Sequence, residues 1–408
     1  GLRARLRLGS DRRGEVRLRG KMVSTFLNVE DFRRRARWRL PKVAFDFVDG
    51  GAESESAVRG NRSAFGEVKL RPKNGTRVGI PDLRTTVLGS ELSMPVALAP
   101  CGMARIANPL GDLGAARAAG AAGTAFTLST MSGHRLEDVA EAATGPLWFQ
   151  VYEVGGRSRV EASLARAAAA GFSAIMVTLD TQVSGHRWRD SRNGASVLLG
   201  PNKVAAARYV PQLLRNPEWL VRRLADGLVP RVENVLREDG NAEYLWRDIR
   251  ARTLAWEDFA WLREAWSGHI MVKGVLTAED ARRALDAGVD AIVVSNHGGR
   301  QLDGVHATLE VLPEVVDAVD GRCEVLLDGG IRGGADVLKA LSLGARAVLI
   351  GRPWMYALGS AGEAGVTRLL EIFRSELVRD LQLMGCAKVE ELGPDCVDAP
   401  ADWFARHR

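Results

Sequence analysis

Ser295-Asn296-His297-Gly298-Gly299-Arg300 sets an imidazole and a guanidinium three positions apart in a glycine-rich turn. Imidazole has the unperturbed pKa nearest neutrality, so His297 can accept a proton at physiological pH. The planar fork of Arg300 suits a carboxylate. A carboxylate beside His297, such as Asp180, would orient the ring and stabilise the cation that forms. Arg187 is a second carboxylate-binding candidate, although spacing alone fits a surface arginine equally well. Asp328-Gly329-Gly330-Ile331-Arg332 and Gly351-Arg352 suit a phosphate. Their glycines allow close backbone approach, the helices that follow supply N–H donors, and the arginines add charge.

These residues need a frame that brings them together. From Pro95 onward, eight short apolar runs alternate with helical stretches, starting near Val96, Ala125, Leu147, Ala174, Ile270, Ala291, Glu324 and Ala347. Unbroken apolar runs suit parallel strands buried on both faces. Helical stretches such as Gly111–Ala122, Arg157–Ala170 and Ala278–Ala287 separate them, and several stop at a glycine (Gly123, Gly171, Gly288, Gly344). Eight such units predict an α/β fold, a closed (β/α)8 or TIM barrel. Runs four and five lie about 95 residues apart, so a long insertion, 190–255, follows strand four. Residues 22–94 read as an N-terminal helical cap, with a helix over Val29–Leu40, the run Lys42–Val48, and short strands near Val68–Leu70 and Thr85–Leu88. The barrel spans 95–385 and a C-terminal tail 386–408, giving one domain over 22–408.

In this fold chemistry sits at the C-terminal ends of the strands. Those ends carry Pro100-Cys101-Gly102, then Ser129, then Gln150 and Tyr152, then Thr178 and Asp180, then Lys273. Strands six to eight add Ser295 to Arg300, Asp328 to Arg332, and Gly351-Arg352. So many polar groups at one mouth make a site the better explanation than a set of unrelated ion pairs.

The formal charge of +6 does not mark a nucleic-acid binder. The first 21 residues hold eight basic and two acidic side chains, and removing them from totals of 56 and 50 leaves 48 of each. That segment reads as a disordered basic tail, with Met22 a candidate start. Four cysteines without CxxC spacing suggest a reducing compartment and no structural zinc. No run of 18 apolar residues predicts a membrane span, and the tail lacks the apolar core of a secretory signal. The expected location is cytoplasmic, with peripheral contact at the inner face of a membrane as an option.

Ser295 to Asp303, SNHGGRQLD, resembles the signature of the flavin mononucleotide (FMN)-dependent L-2-hydroxy acid oxidases and dehydrogenases. That family includes glycolate oxidase, lactate and mandelate dehydrogenases, and hydroxymandelate oxidase. The likeness runs from about Val29 to Val397 and takes in Val272-Lys273-Gly274, Leu327-Asp328-Gly329-Gly330, Ile350-Gly351-Arg352-Pro353 and Phe149-Gln150-Val151-Tyr152. It implies oxidation of an L-2-hydroxy acid to the 2-oxo acid, with electrons passing through FMN to oxygen or a quinone, in a homotetramer. His297 would be the base, Asp180 its partner, and Arg300 and Arg187 the carboxylate clamp, with Tyr152 on the reacting oxygen. Lys273 would stabilise the reduced, anionic flavin. Ser129, Gln150, Thr178 and the Pro100-Cys101-Gly102 backbone would lie along its ring, and Ser295 is counted with this cofactor set. Asp328 would take the ribityl chain, and Gly329, Gly330, Arg332, Gly351 and Arg352 the phosphate end.

The sequence departs from the family at two positions. Phe47 stands where a tyrosine is common, losing a hydrogen bond to a charged group, about 1.5–3 kcal/mol. Met131 replaces a frequent tryptophan, widening and softening the pocket. Both tilt the expected substrate towards a bulky aryl or long-chain hydroxy acid. Cys101 also stands where threonine is common, and little effect is expected. In the insertion, Pro211–Val229 sets Leu213, Leu214, Trp219, Leu220, Leu224 and Leu228 against Arg215, Arg222 and Arg223. It reads as a lid over the pocket or as a basic amphipathic helix on a membrane. Competing classes are a Schiff-base aldolase using Lys273 and an inactive flavin-binding scaffold. A nicotinamide enzyme is disfavoured because no GxGxxG follows a strand.

Overall fold

In a computed structural model, residues 23–195, 209–227, 232–235 and 254–404 are described. The basic tail 1–21 and much of the insertion lie outside the described residues.

All eight expected runs are strands, and they close into a barrel in chain order. They are Val96–Leu98, Phe126–Ser129, Leu147–Val151, Ala174–Thr178, His269–Val275, Ala291–Val294, Glu324–Asp328 and Ala347–Ile350, called barrel strands one to eight. Each pairs in parallel with the next, and Val348 opposite Val96 closes the ring. Their residues are almost wholly buried, which explains the unbroken apolar runs. The interior is packed rather than hollow. Ala97, Ala125, Ala174, Ala291 and Ala347 leave room for Trp148, Met176 and Met271, all of them buried. A hairpin, Thr85–Val87 with Ser90–Leu92, plugs the end away from the site through Val87, Leu88 and Leu92. Only its first strand was expected.

The cap comprises helices α1 (Val29–Arg39), α2 (Lys42–Asp49) and α3 (Ser56–Glu67). Asn28 caps α1 by accepting from the Asp31 N–H at 3.0 Å. The helix breaks at Leu40-Pro41, where proline disfavours helical geometry in the residue before it. Asp49 fixes the end of α2: it pairs with Arg33 (2.6 Å) and Arg189 (2.7 Å), and the Tyr356 hydroxyl donates to it at 2.7 Å.

The segment Pro211–Val229, read from the sequence as a lid or as one amphipathic helix, holds two helices among its described residues, Val210–Leu214 and Pro217–Ala225. Pro217 has no N–H to continue the first, and Asn216 ahead of it leaves helical geometry at φ −122°, ψ 66°. Leu228 and Val229 lie outside the described residues.

Candidate active site

The strand ends and the cap enclose a cavity of about 280 Å³ at the C-terminal mouth of the barrel. The loop after barrel strand six enters it on three successive left-handed residues, His297 (φ 56°), Gly298 (62°) and Gly299 (74°). Left-handed backbone is uncommon for a non-glycine residue and is held only where its surroundings enforce it. Here the His297 N–H donates to Ser295 Oγ at 3.0 Å, and His297 Nδ1 meets Asp180 Oδ1 at 2.9 Å. Asp180 comes close because residue 274 is glycine: a Cβ there would sit 2.8 Å from the Asp180 Cβ. Burial draws the His297 pKa below its ordinary value despite the opposing pull of Asp180. The imidazole is therefore neutral at pH 7. For Asp180, burial is outweighed by His297 and Lys273, and the carboxyl titrates below its usual range.

Every polar residue of SNHGGRQLD has a placed partner. Ser295 lies outside the cavity lining and accepts from Lys273 Nζ at 2.8 Å. Asn296 exchanges two amide hydrogen bonds with Asn61 of α3, at 2.8 and 2.9 Å. Arg300 Nη1 donates to the carbonyls of Phe47 (2.8 Å) and Gly50 (2.9 Å) at the end of α2. Gln301 Nε2 donates to the Asp180 and Val183 carbonyls. Asp303 accepts from Ser54 Oγ, the Ser56 hydroxyl and N–H, and the Ala57 N–H, tying down the start of α3. Asn296, Gln301 and Asp303 enter the sequence reading only as members of the signature, without a role of their own, and Asn61 does not enter it. Nothing in their local spacing shows that they join segments some 120 to 250 positions apart.

The cavity holds an excess of cations. Lys273, Arg187, Arg300, Arg332 and Arg352 all line it. Lys273 bridges to Asp328 at 3.1 Å. Burial opposes its charge, but Asp328 and Asp180 together raise its pKa. Arg300 is brought down to about 9, first by burial and then by Arg187 and Arg352; burial is also the main cause of the lowering of Arg332 to about 10. Arg187 rests on Asp190 at 3.0 Å. So many cations lining one partly desolvated cavity fit a site completed by anions.

The opposite wall is a row of neutral donors and acceptors. Gln150 Oε1 accepts from Ser129 Oγ (3.1 Å) and its amide donates to Thr178 Oγ1 (3.2 Å). Pro100, Cys101 and Gly102 border this row, with the Cys101 thiol pushed up to about 12 by burial. Met131, Tyr152, Val154 and Leu254 give the cavity an apolar side. Phe47 offers more than a missing hydroxyl. Its carbonyl holds Arg300, and its ring lies 5.3 Å below the guanidinium.

Gly329, Gly330 and Gly351 also line the cavity. The close approach that requires glycine at 330 is to the protein itself: a Cβ there would lie 2.0 Å from the Asn61 carbonyl of α3. From the sequence, that closeness had been expected to serve a phosphate.

Comparison with known proteins places this geometry. A family model described as FMN-dependent dehydrogenase matches residues 36–399. The L-lactate dehydrogenase of Caulobacter vibrioides (strain NA1000 / CB15N) is 42% identical over 372 residues, 90% of this chain and 96% of that protein. That of Stenotrophomonas maltophilia (strain R551-3) is 40% identical over 371 residues, 90% and 97% of the two chains. Among solved structures, the monotopic membrane protein (S)-mandelate dehydrogenase superposes with a TM-score of 0.86 at 36% identity, covering 92% of this chain and all of that one. Mandelate oxidase gives 0.78 at 37%, covering 92% and 98%.

This chain belongs to the FMN-dependent dehydrogenase family. The cavity meets the demands of the family's cofactor. FMN carries an anionic phosphate, a chain of hydroxyls and a flat ring with a polar edge. Against these stand two half-buried arginines, Arg332 and Arg352, the lysine and the Gln150 row. Asp328 Oδ1 and Arg352 Nε are buried with no partner within the described residues, which is what a ligand's hydroxyl and phosphate would satisfy. As a member of the FMN-dependent dehydrogenase family, the chain is an oxidoreductase.

Proposed function

We propose that the chain oxidises an L-2-hydroxy acid with an apolar side chain larger than a hydrogen atom to the 2-oxo acid. The observation that carries this reading is the His297–Asp180 pair facing Arg300 and Arg187 across one cavity. FMN, when bound, supplies a two-electron acceptor for the substrate carbon. Asp180 accepts from His297 Nδ1–H, which leaves Nε2 unprotonated and able to take a proton from the substrate. Arg300 and Arg187 hold the carboxylate. Burial, with Asp180 nearby, pushes the Tyr152 phenol far above its ordinary range, so it stays a hydrogen-bond donor to the substrate oxygen. Lys273 and Ser129, Gln150 and Thr178 would hold the flavin ring and Asp328 its ribityl chain. Arg332, Arg352 and the Gly330 and Gly351 backbone would take its phosphate. Met131, Val154 and Leu254 leave an apolar side for the substrate's own side chain, in keeping with relatives named for lactate and mandelate.

A Schiff-base aldolase fits less well. Lys273 is bonded to both Asp328 and Ser295 and held protonated, so it has no free lone pair for a carbonyl. An inactive scaffold would have no use for a base and a carboxylate clamp kept in register.

Among the described residues no helix is long and apolar enough to cross a membrane. We infer peripheral contact instead. Val210, Leu214, Val221 and Leu224 of the two insertion helices are exposed, beside an exposed Trp38 on α1. Asn216 joins the two elements by donating to the Trp38 carbonyl at 3.0 Å. Arg215 adds positive charge to this face, and Arg39 and Arg222 together outweigh the one carboxylate, Glu218, that pairs with both, which suits an anionic lipid surface. Such a location favours a membrane quinone over oxygen as final acceptor.

Anaerobic mixing of the FMN-loaded protein with a panel of L-2-hydroxy acids tests the reaction. The visible flavin band should bleach with L but not D isomers, and a quinone analogue should restore it faster than oxygen. His297→Ala should keep the cofactor and lose at least about 10²–10⁴-fold in turnover. A protein that binds no FMN, or that no member of the panel bleaches, refutes the reading.

A further inference from the structure

Asn234 is fully buried on a short piece of the insertion that lies against the loop after barrel strand two. Its Oδ1 accepts from the Leu136 N–H at 2.8 Å, and its Nδ2 donates to the His134 carbonyl at 3.1 Å. Its own carbonyl accepts from Ser163 Oγ at 3.1 Å, and the neighbouring Glu233 N–H donates to the Ser132 carbonyl at 3.0 Å. Leu136 opens the helix Leu136–Ala142, whose preceding residue Arg135 offers no side-chain cap. Asn234 thus supplies that cap from 98 positions away. Aspartate could not replace it, because it has no proton for His134.

The residues flanking Asn234 explain why the clip matters. Val232 and Val235 are buried against Val154, and Met131 and Tyr152 pack on the same cluster. Met131, Tyr152 and Val154 face the cavity, whereas Val232 and Val235 do not. The two valines therefore back the wall that faces the substrate side chain. A wall backed by close packing keeps its shape; one whose backing is lost relaxes into the void.

We propose that Asn234 is a positioning residue for substrate selectivity, which holds Val232 and Val235 behind the Met131–Val154 wall and so sets preference by side-chain size. This rests on reading the cavity as a hydroxy acid site. Of the chemistry end, His297, Arg300 and Lys273 lie outside this cluster, and Tyr152, which packs on it, is held separately by its N–H donating to Thr130 Oγ1 at 3.1 Å, so turnover of a small acid falls far less than that of a long one.

The test compares L-lactate with L-2-hydroxyoctanoate in the FMN-loaded wild type, Asn234→Ala, Val235→Ala, Val154→Ala and Asn234→Ala/Val154→Ala. In Asn234→Ala, kcat/KM for the long acid should fall about tenfold or more relative to lactate, mainly through KM, with lactate kcat per bound flavin within about threefold. In the Val154→Ala background the added loss should shrink below about twofold, because the two residues act through one wall. Val235→Ala removes packing without touching a hydrogen bond and should skew selectivity the same way, which decides the matter if Asn234→Ala does not fold. Equal losses on both acids, or full additivity with Val154→Ala, overturn the proposal. A wild type that oxidises neither acid while binding FMN refutes the reading of the cavity, a separate failure.

Discussion

His297 stands on left-handed backbone, which aims its ring into the cavity, and its burial favours a neutral base. Because burial lowers its pKa, the acid limb of kcat/KM should lie below pH 6.5, with activity lost as pH falls through it. Asp180 raises that pKa, so Asp180→Asn should move the limb to still lower pH. The same change frees the imidazole to adopt the wrong tautomer, and kcat should fall about 10²-fold or more. A pH profile of the variant superposable on the wild type would remove Asp180 from this role. His297, Arg300 and Lys273 were legible in the sequence because each is a chemically distinctive residue at a strand end. Phe47 was legible only as a departure from a pattern, since what it contributes is a carbonyl and a ring face, neither of which its identity announces.

The cap and the loop after barrel strand six are joined by the Asn61–Asn296 amide pair, buried on both sides. Asn61→Ala strands one Asn296 amide hydrogen and the Thr308 N–H, both of which donate to Asn61 Oδ1, while Asn296 keeps the His306 carbonyl and the Gly299 N–H as partners. Each stranded group costs about 1–3 kcal/mol. We expect weaker FMN retention and a lower urea midpoint, measured by flavin release on dilution and by denaturation; an unchanged midpoint would show that water replaces the amide without loss. The elements themselves were readable because parallel strands buried on both faces leave unbroken apolar runs. The break at Asn216 was also readable, in Pro217, but the spacing of Leu213, Leu220 and Leu224 suggested one continuous helix. The amide pair was not readable: it links positions 235 apart, and an asparagine in a helix gives no sign of its partner.

At the scale of the whole molecule, the insertion face and the cap form one exposed surface around Trp38. Replacing Leu214, Val221 and Leu224 with serine should abolish co-sedimentation with vesicles of anionic lipid and leave turnover with a soluble acceptor within about twofold. A wild type that does not sediment with such vesicles would leave the surface without the proposed role. The Gly50 carbonyl, at the end of α2, accepts one hydrogen bond from Arg300 and another from Arg352, at 2.9 and 2.8 Å. In the proposed assignment those arginines grip different molecules, one the transient acid and the other the resident nucleotide. A single oxygen atom thus stands as counter-anchor to both grips. Any tilt of α2 wide enough to release the nucleotide must also slacken the hold on the acid. Occupancy of either position therefore steadies the other, because each holds α2 in the one orientation that serves both.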